Sequence, residues 1–265
     1  MDSSYDGDEM GTEDNPYKSI SSAVSAANGG ETIFIKNGEY TETTISNIDK
    51  ALTFQGESQG GVIIKAGSSG FFNTYNICNN LVFNNLYFKD IACTGAGAVI
   101  TVGGTSEYNN VYITNCVFDS CSGRYGALRI YAKFGEVIID NCKFLNTVGS
   151  NGKYSTAIYF GSAGTNTYTI RNTVINGSTN TASTTFGAIY VDRAAAGPTI
   201  IDNVTIVDCT LTGANGLIAT KGDLNISNSR IINNNVGVGT LESGSTFGFN
   251  QVMLILSSML KLLLL

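Results

Sequence analysis

The chain has 265 residues and carries 15 Lys and Arg against 21 Asp and Glu, a formal net charge of −6. That balance excludes a protein organised around phosphate contacts, so no nucleic-acid partner is expected. The complete lack of His removes the commonest general base and metal ligand. A hydrophobic share of 43% excludes disorder through want of a core, and six Cys are too few for a disulfide scaffold.

Residues 1–15 are acidic and without apolar pattern, and they read as a flexible lead. Met1 is followed by Asp2, Asp6, Asp8 and Glu9, so no signal peptide is expected. Between Tyr17 and Asn28, residues Ile20, Ala23, Val24 and Ala27 share one helical face. Ser19 stands where an N-cap belongs and Gly29-Gly30 where the helix stops. From there a repeat takes over. LVFNNLYF (81–88), VYITNCVF (111–118), VIIDNCKF (137–144), YTIRNTVI (168–175), TIIDNVTI (199–206) and LNISNSRI (224–231) align on Asn85, Asn115, Asn141, Asn172, Asn203 and Asn228. The Asn spacings are 30, 26, 31, 31 and 25. IFIKNGEY (33–40) around Asn37 is a weaker copy, and LTFQG (52–56) another with Gly56 in place of Asn.

Apolar residues alternate before each Asn and resume one place out of step after it, as in Leu81, Phe83, Leu86 and Phe88. Alternation predicts half-buried strands, and the slip predicts a corner between two of them. A third strand follows in AVITVG (98–103), GALRIY (126–131), TAIYFG (156–161), GAIYVD (187–192) and GLIATK (216–221). A chain that turns corners and returns in register is a right-handed parallel β-helix, here of seven or eight coils filling residues 16–250, with the short helix capping its N-terminal end. Asn suits the corner because it tolerates a left-handed backbone and its amide can bond along the stack. The leucine-rich repeat is excluded because its Asn stands at another offset. Residues 251–265 break the pattern: eleven of the fourteen from Val252 onward are apolar. This tail reads as a second plug, a truncated membrane anchor or sequence foreign to the fold, and it is too short to span a bilayer. On this break the chain is expected to be a piece of something longer.

The segment GTEDNPYKSISSAVSAANGGETIFIKNGEYTE (11–42) resembles the opening of right-handed β-helix proteins of the pectin-lyase-like superfamily. With the downstream Asn-Cys-x-Phe copies, the chain is most similar to adhesin-like surface proteins of methanogenic archaea. The resemblance implies an extracellular or cell-surface location and a glycan or cell-surface polymer as partner. It covers residues 11–245 and speaks to fold more than to function, because lyases, hydrolases and binding proteins share the architecture.

Stacked coils align equivalent residues into columns. One column runs Thr101, Arg129, Tyr159, Tyr190 and Ala219, with Tyr131 and Asp192 two residues on and Arg193 beside them. Arg129, Tyr131, Tyr159, Tyr190 and Asp192 are therefore candidate ligand-binding residues, since tyrosines flanked by charge suit sugar rings. Ordinary aromatic packing is the competing explanation. A second column, just before the ladder Asn, sets Arg171 between Asp140 and Asp202. A polysaccharide lyase or glycoside hydrolase would use such carboxylates to hold calcium or a uronate, with Arg as base or stabiliser. An ion-pair ladder fits better, because an Arg locked by two Asp is a poor base. No cofactor and no resident metal site are expected. Cys116 and Cys142 fall at one inward position on adjacent coils and read as stacked free thiols, whereas Cys121 and Cys209 are too far apart to pair. Sequons stand at Asn176, Asn203 and Asn225, of which Asn203 belongs to the ladder.

Overall fold

The computed structural model describes all residues except 96, 104–109, 132–134, 151–153, 162–166, 181–185, 193–198, 215, 239–245, 257, 258 and 265, and only the backbone of 167, 256 and 259–264. Arg193 lies outside the described residues. The chain forms a parallel β-helix. Sheet A holds nine parallel strands, from Glu31–Ile35 through Glu136–Asp140 to Phe247–Asn250. Sheet B holds ten, beginning at Gly38–Glu42. Sheet C holds seven, among them Phe72–Thr74, Ile100–Val102, Leu128–Ile130, Ser155–Phe160 and Gly187–Val191. Apart from Met259–Leu264, each strand pairs in parallel with its counterpart in the next coil, so Val111 lies on Val137 and Phe118 on Phe144. A further three-stranded ladder, Ser122–Gly123, Val148–Gly149 and Thr179–Asn180, lies between sheets B and C. These two-residue pieces are too short to carry an alternation, which is why the sequence conceals them.

The alternation seen in sequence is the burial pattern. Leu81, Phe83, Leu86 and Phe88 are fully buried, as are Val111, Ile113, Cys116 and Phe118. Stacking places like on like: Phe88, Phe118 and Phe144 form a continuous pile with 4.9 Å between successive ring centroids. Such spacing matches the rise between coils. All six Cys are free and buried. Burial pushes Cys93 and Cys121 up to about 12 and Cys209 up to about 11, so these thiols are packing groups.

The N-terminal plug is the helix Ile20–Ala26, burying Ile20, Ala23 and Val24. Ser19 Oγ accepts from Ser22 N–H at its start. Two residues from the first coil complete it. Glu42, itself buried, accepts from Ile20 N–H at 2.6 Å and Ser21 N–H at 3.2 Å, placing a carboxylate on the positive helix end. Lys50 Nζ donates to Val24 and Ala27 carbonyls at the other end. Residues 1–15, expected as a flexible lead, make specific contacts here: Met1 N donates to Phe34 O at 2.6 Å, and Tyr5 OH donates to Asn15 at 2.6 Å.

At the other end the solenoid runs past residue 250. Met253–Leu256 adds to sheet B in parallel with Arg230–Asn234, and Met259–Leu264 folds back antiparallel on it. No helix among the described residues is long and apolar enough to cross a membrane.

Candidate functional site

The six aligned asparagines occupy one corner, between sheets A and B. Asn85, Asn115, Asn141, Asn172, Asn203 and Asn228 all have φ between 50 and 58°. Their amides bond from coil to coil: Asn141 donates to Asn115 at 2.7 Å and Asn203 to Asn172 at 2.8 Å. Asn115 instead donates to Asn84, Asn172 to Asp140 and Asn228 to Asp202, each at 2.8 Å, so the column before the ladder serves as its acceptor rail. Asn85 ends the series on Gly56 O. Gly56 lies beneath Asn85 in register, where a Cβ would stand 2.1 Å from Asn85 O. Asn37 is two residues out of line, because Ile35 is the residue that pairs with Gly56. A second left-handed corner follows five residues after each ladder Asn, at Asp90, Ser120, Asn146, Gly177, Asp208 and Asn233. Its signal was present as a column of small polar residues, but mixed identities hid it.

Asp140, Arg171 and Asp202 stand on three successive coils. Arg171 Nε donates to Asp140 Oδ2 at 2.8 Å, and the other Asp140 oxygen takes the Asn172 amide. Asp202 Oδ1 accepts from Ser227 at 2.6 Å and from Asn228. These hydrogen bonds, Ser227 foremost, hold the Asp202 carboxyl below its ordinary value. With both carboxylates engaged and the guanidinium paired, the column is an ion-pair and hydrogen-bond rail at the corner. Its two carboxylates are separated by the Arg171 coil and do not converge on one ion. Among the described residues, no group of three Cys, Asp or Glu side chains could hold a metal ion.

The sheet C column is in register as Thr101, Arg129, Tyr159, Tyr190 and Ala219. Leu128 and Ile130 point into the core, so Arg129 points outward. Tyr159 and Tyr190 do not form an exposed platform: they are 6% and 2% exposed. The rings of Tyr125, Tyr154 and Phe186 cover them, and together with Ala98 and Ala219 they make a second apolar cluster outside the main core. Those covering residues lie just before the strands, where reading along one column cannot see them. Asp192 receives Tyr190 OH at 2.6 Å and Tyr159 OH at 2.8 Å, and pairs with Lys221 at 2.9 Å. Its burial raises the carboxyl, but the Tyr190, Lys221 and Tyr159 donors outweigh that and leave it lowered. Of the five candidates, Tyr159, Tyr190 and Asp192 thus form one knot, while Arg129 and Tyr131 belong to a neighbouring group.

That group is the more open one. Arg129 lies over the rings of Tyr125 and Tyr131, 4.1 and 4.2 Å from their centroids. Arg124 lies over Tyr154 at 5.3 Å and Tyr125 at 5.9 Å. Tyr75, 48% exposed, packs edge-on against Tyr131 and accepts from Arg129 at 3.5 Å. Gly103 makes room for the Tyr131 ring, since a Cβ there would stand 2.3 Å from it. Arg124 makes no ion pair among the described residues. Burial foremost, then the bond to Tyr75, raises the Tyr131 phenol, and burial likewise raises Tyr125. Two guanidiniums thus sit among four tyrosines on the outside of sheet C, with Tyr75 at the rim. The sequence reading missed Tyr75, Arg124, Tyr125 and Tyr154.

None of the known protein-family models matches the chain, and no curated protein does. Solved structures do match. An alginate lyase of the PL6 family superposes with a TM-score of 0.55 at 14% identity, covering 87% of this chain and 38% of the lyase. The likeness is one of fold. A pectin methylesterase, solved with a bound hexasaccharide, matches with a TM-score of 0.46 at 14% identity over 86% of this chain and 79% of its own. The pectin methylesterase of Erwinia chrysanthemi gives 0.41 at 16% identity over 84% and 77%. The chain therefore spans well under half of the alginate lyase, with which it shares the parallel β-helix fold. The finer resemblance to methanogen adhesin-like proteins gains no support from these matches.

Proposed function

We propose that the chain is a non-enzymatic, adhesin-like module of the cell surface that binds acidic glycans on the outer face of sheet C. The observation that carries this reading is the pair Arg124 and Arg129 held against Tyr75, Tyr125, Tyr131 and Tyr154. Aromatic rings stack on sugar faces, and a guanidinium matches a uronate carboxylate with two parallel donors. In a chain of net charge −6, Arg124 without a carboxylate partner among the described residues is a group suited to an external anion. The solved relatives in fold include an alginate lyase and a hexasaccharide-bound pectin methylesterase, which accords with a carbohydrate ligand. The competing reading, a polysaccharide lyase or hydrolase, draws on that same likeness, but the Asp140, Arg171 and Asp202 rail offers no free base.

The test is titration with a uronate oligosaccharide and a neutral glucan. The uronate is expected to bind, and Tyr75→Ala or Arg124→Gln to weaken it about tenfold, the equivalent of about 1.4 kcal/mol. Equal affinity for the neutral glucan, or unchanged uronate binding in both variants, would contradict the proposal.

A further inference from the structure

The N-terminal end carries a second concave feature, built from other residues. Strand Glu31–Ile35 is the outermost of sheet A at this end. Ile35 O receives Glu57 N–H from the next coil. Because peptide groups alternate in direction along a strand, Thr32, Phe34 and Lys36 aim theirs away from the sheet. Met1 engages two of these groups, Phe34 O at 2.6 Å and Lys36 N–H at 3.1 Å. No strand lies alongside Thr32 among the described residues. A cavity of about 560 Å³ adjoins this edge, walled by the capping helix at Ala23 and Ala26, by Met10 of the lead and by Tyr17. Ile33 and Phe34 also line it, and two large apolar side chains are left in solvent here, Phe34 at 48% and Met10 at 67% exposure.

The surroundings are acidic. Glu13 and Glu31 line the cavity, and residues 1–16 hold six carboxylates with no Lys or Arg. Met1 and Lys36 also line the cavity, but the Met1 ammonium is bonded to Phe34 O, and Lys36 and the nearby Lys18 are already paired with Asp2 and Asp6, each at 3.7 Å. We propose that this edge binds an extended segment of a partner protein in which apolar and basic side chains alternate. Its backbone pairs with Thr32, its apolar side chains enter the cavity between helix and lead, and its cations meet the acidic rim. A sheet edge with an apolar floor and a surplus of carboxylates over cations around it selects this chemistry over an acidic peptide or a helix.

The probe is a short fluorescent peptide alternating valine and lysine, titrated by anisotropy into the full chain. Saturable binding is expected. It should weaken at least tenfold when glutamate replaces lysine, and by as much when alternate amides of the peptide are N-methylated. Thr32→Pro removes one outward N–H at an edge position that tolerates proline, and should cost the same factor with circular dichroism unchanged. Should that variant fail to fold, the N-methylated peptide decides alone. No binding of the lysine peptide overturns the proposal, and so does equal binding of the glutamate or N-methylated peptide. A concentration-dependent dimer that Thr32→Pro abolishes would assign the edge to a second copy of this chain, which also overturns it.

Discussion

At the ladder corner one residue must satisfy two demands, a left-handed backbone and an amide that reaches the next coil. Asn141, with φ of 52°, meets both through its bond to Asn115. Asn141→Ala loses the hydrogen bond and strains the backbone, each worth about 1 kcal/mol, so it should cost about 2 kcal/mol by urea unfolding. Asn141→Gly keeps the backbone and should cost about half as much. The same residue-level logic covers titration. Burial holds the Tyr159 phenol above its ordinary value of 10.0, with the bond to Asp192 adding to it. Its folded pKa lies above the unfolded one, so its contribution is complete below pH 10 and lost as the pH rises beyond. Stability should therefore fall above pH 10, tracked by tyrosinate absorbance that appears with unfolding rather than before it. At these residues the sequence was most legible where identity repeated, as at Asn85 through Asn228. It was least legible where the repeat kept a conformation but changed residue, as at Asp90, Ser120, Asn146 and Gly177.

Among the elements, strands were legible in proportion to their alternation. Glu136–Asp140 and Lys143–Leu145 alternate and meet at an Asn, whereas Val148–Gly149 is two residues long. The helix announced its apolar face, but Glu42 and Lys50, which hold its two ends, come from distant positions that no local pattern links. Glu42→Ala leaves Ile20 N–H buried without its carboxylate and should destabilise by about 1–3 kcal/mol. Hydrogen exchange at Ile20 and Ser21 would locate the loss, and unchanged exchange there would speak against the capping role. The candidate site shows the same limit. The column Arg129, Tyr159 and Tyr190 followed from register, but its burial under Tyr125, Tyr154 and Phe186 depends on chain entering the strands from outside the column.

Over the whole molecule, stability comes from like stacked on like along the axis. The Phe88, Phe118 and Phe144 pile is its densest expression, and Phe118→Ala should cost about 3–5 kcal/mol with unfolding remaining cooperative. A rigid stack leaves its outer faces free to vary, and one face has gathered arginines and tyrosines. The fold alone therefore allows binding without catalysis. The most direct test runs a fluorescent polyuronate over a size-exclusion column with and without the full chain. Label moving to earlier elution with the protein, and doing so much less with Tyr75→Ala/Arg124→Gln, is the predicted result. Label moving to later elution would mean cleavage and contradict a binding module. No shift at all would contradict a glycan ligand of this kind.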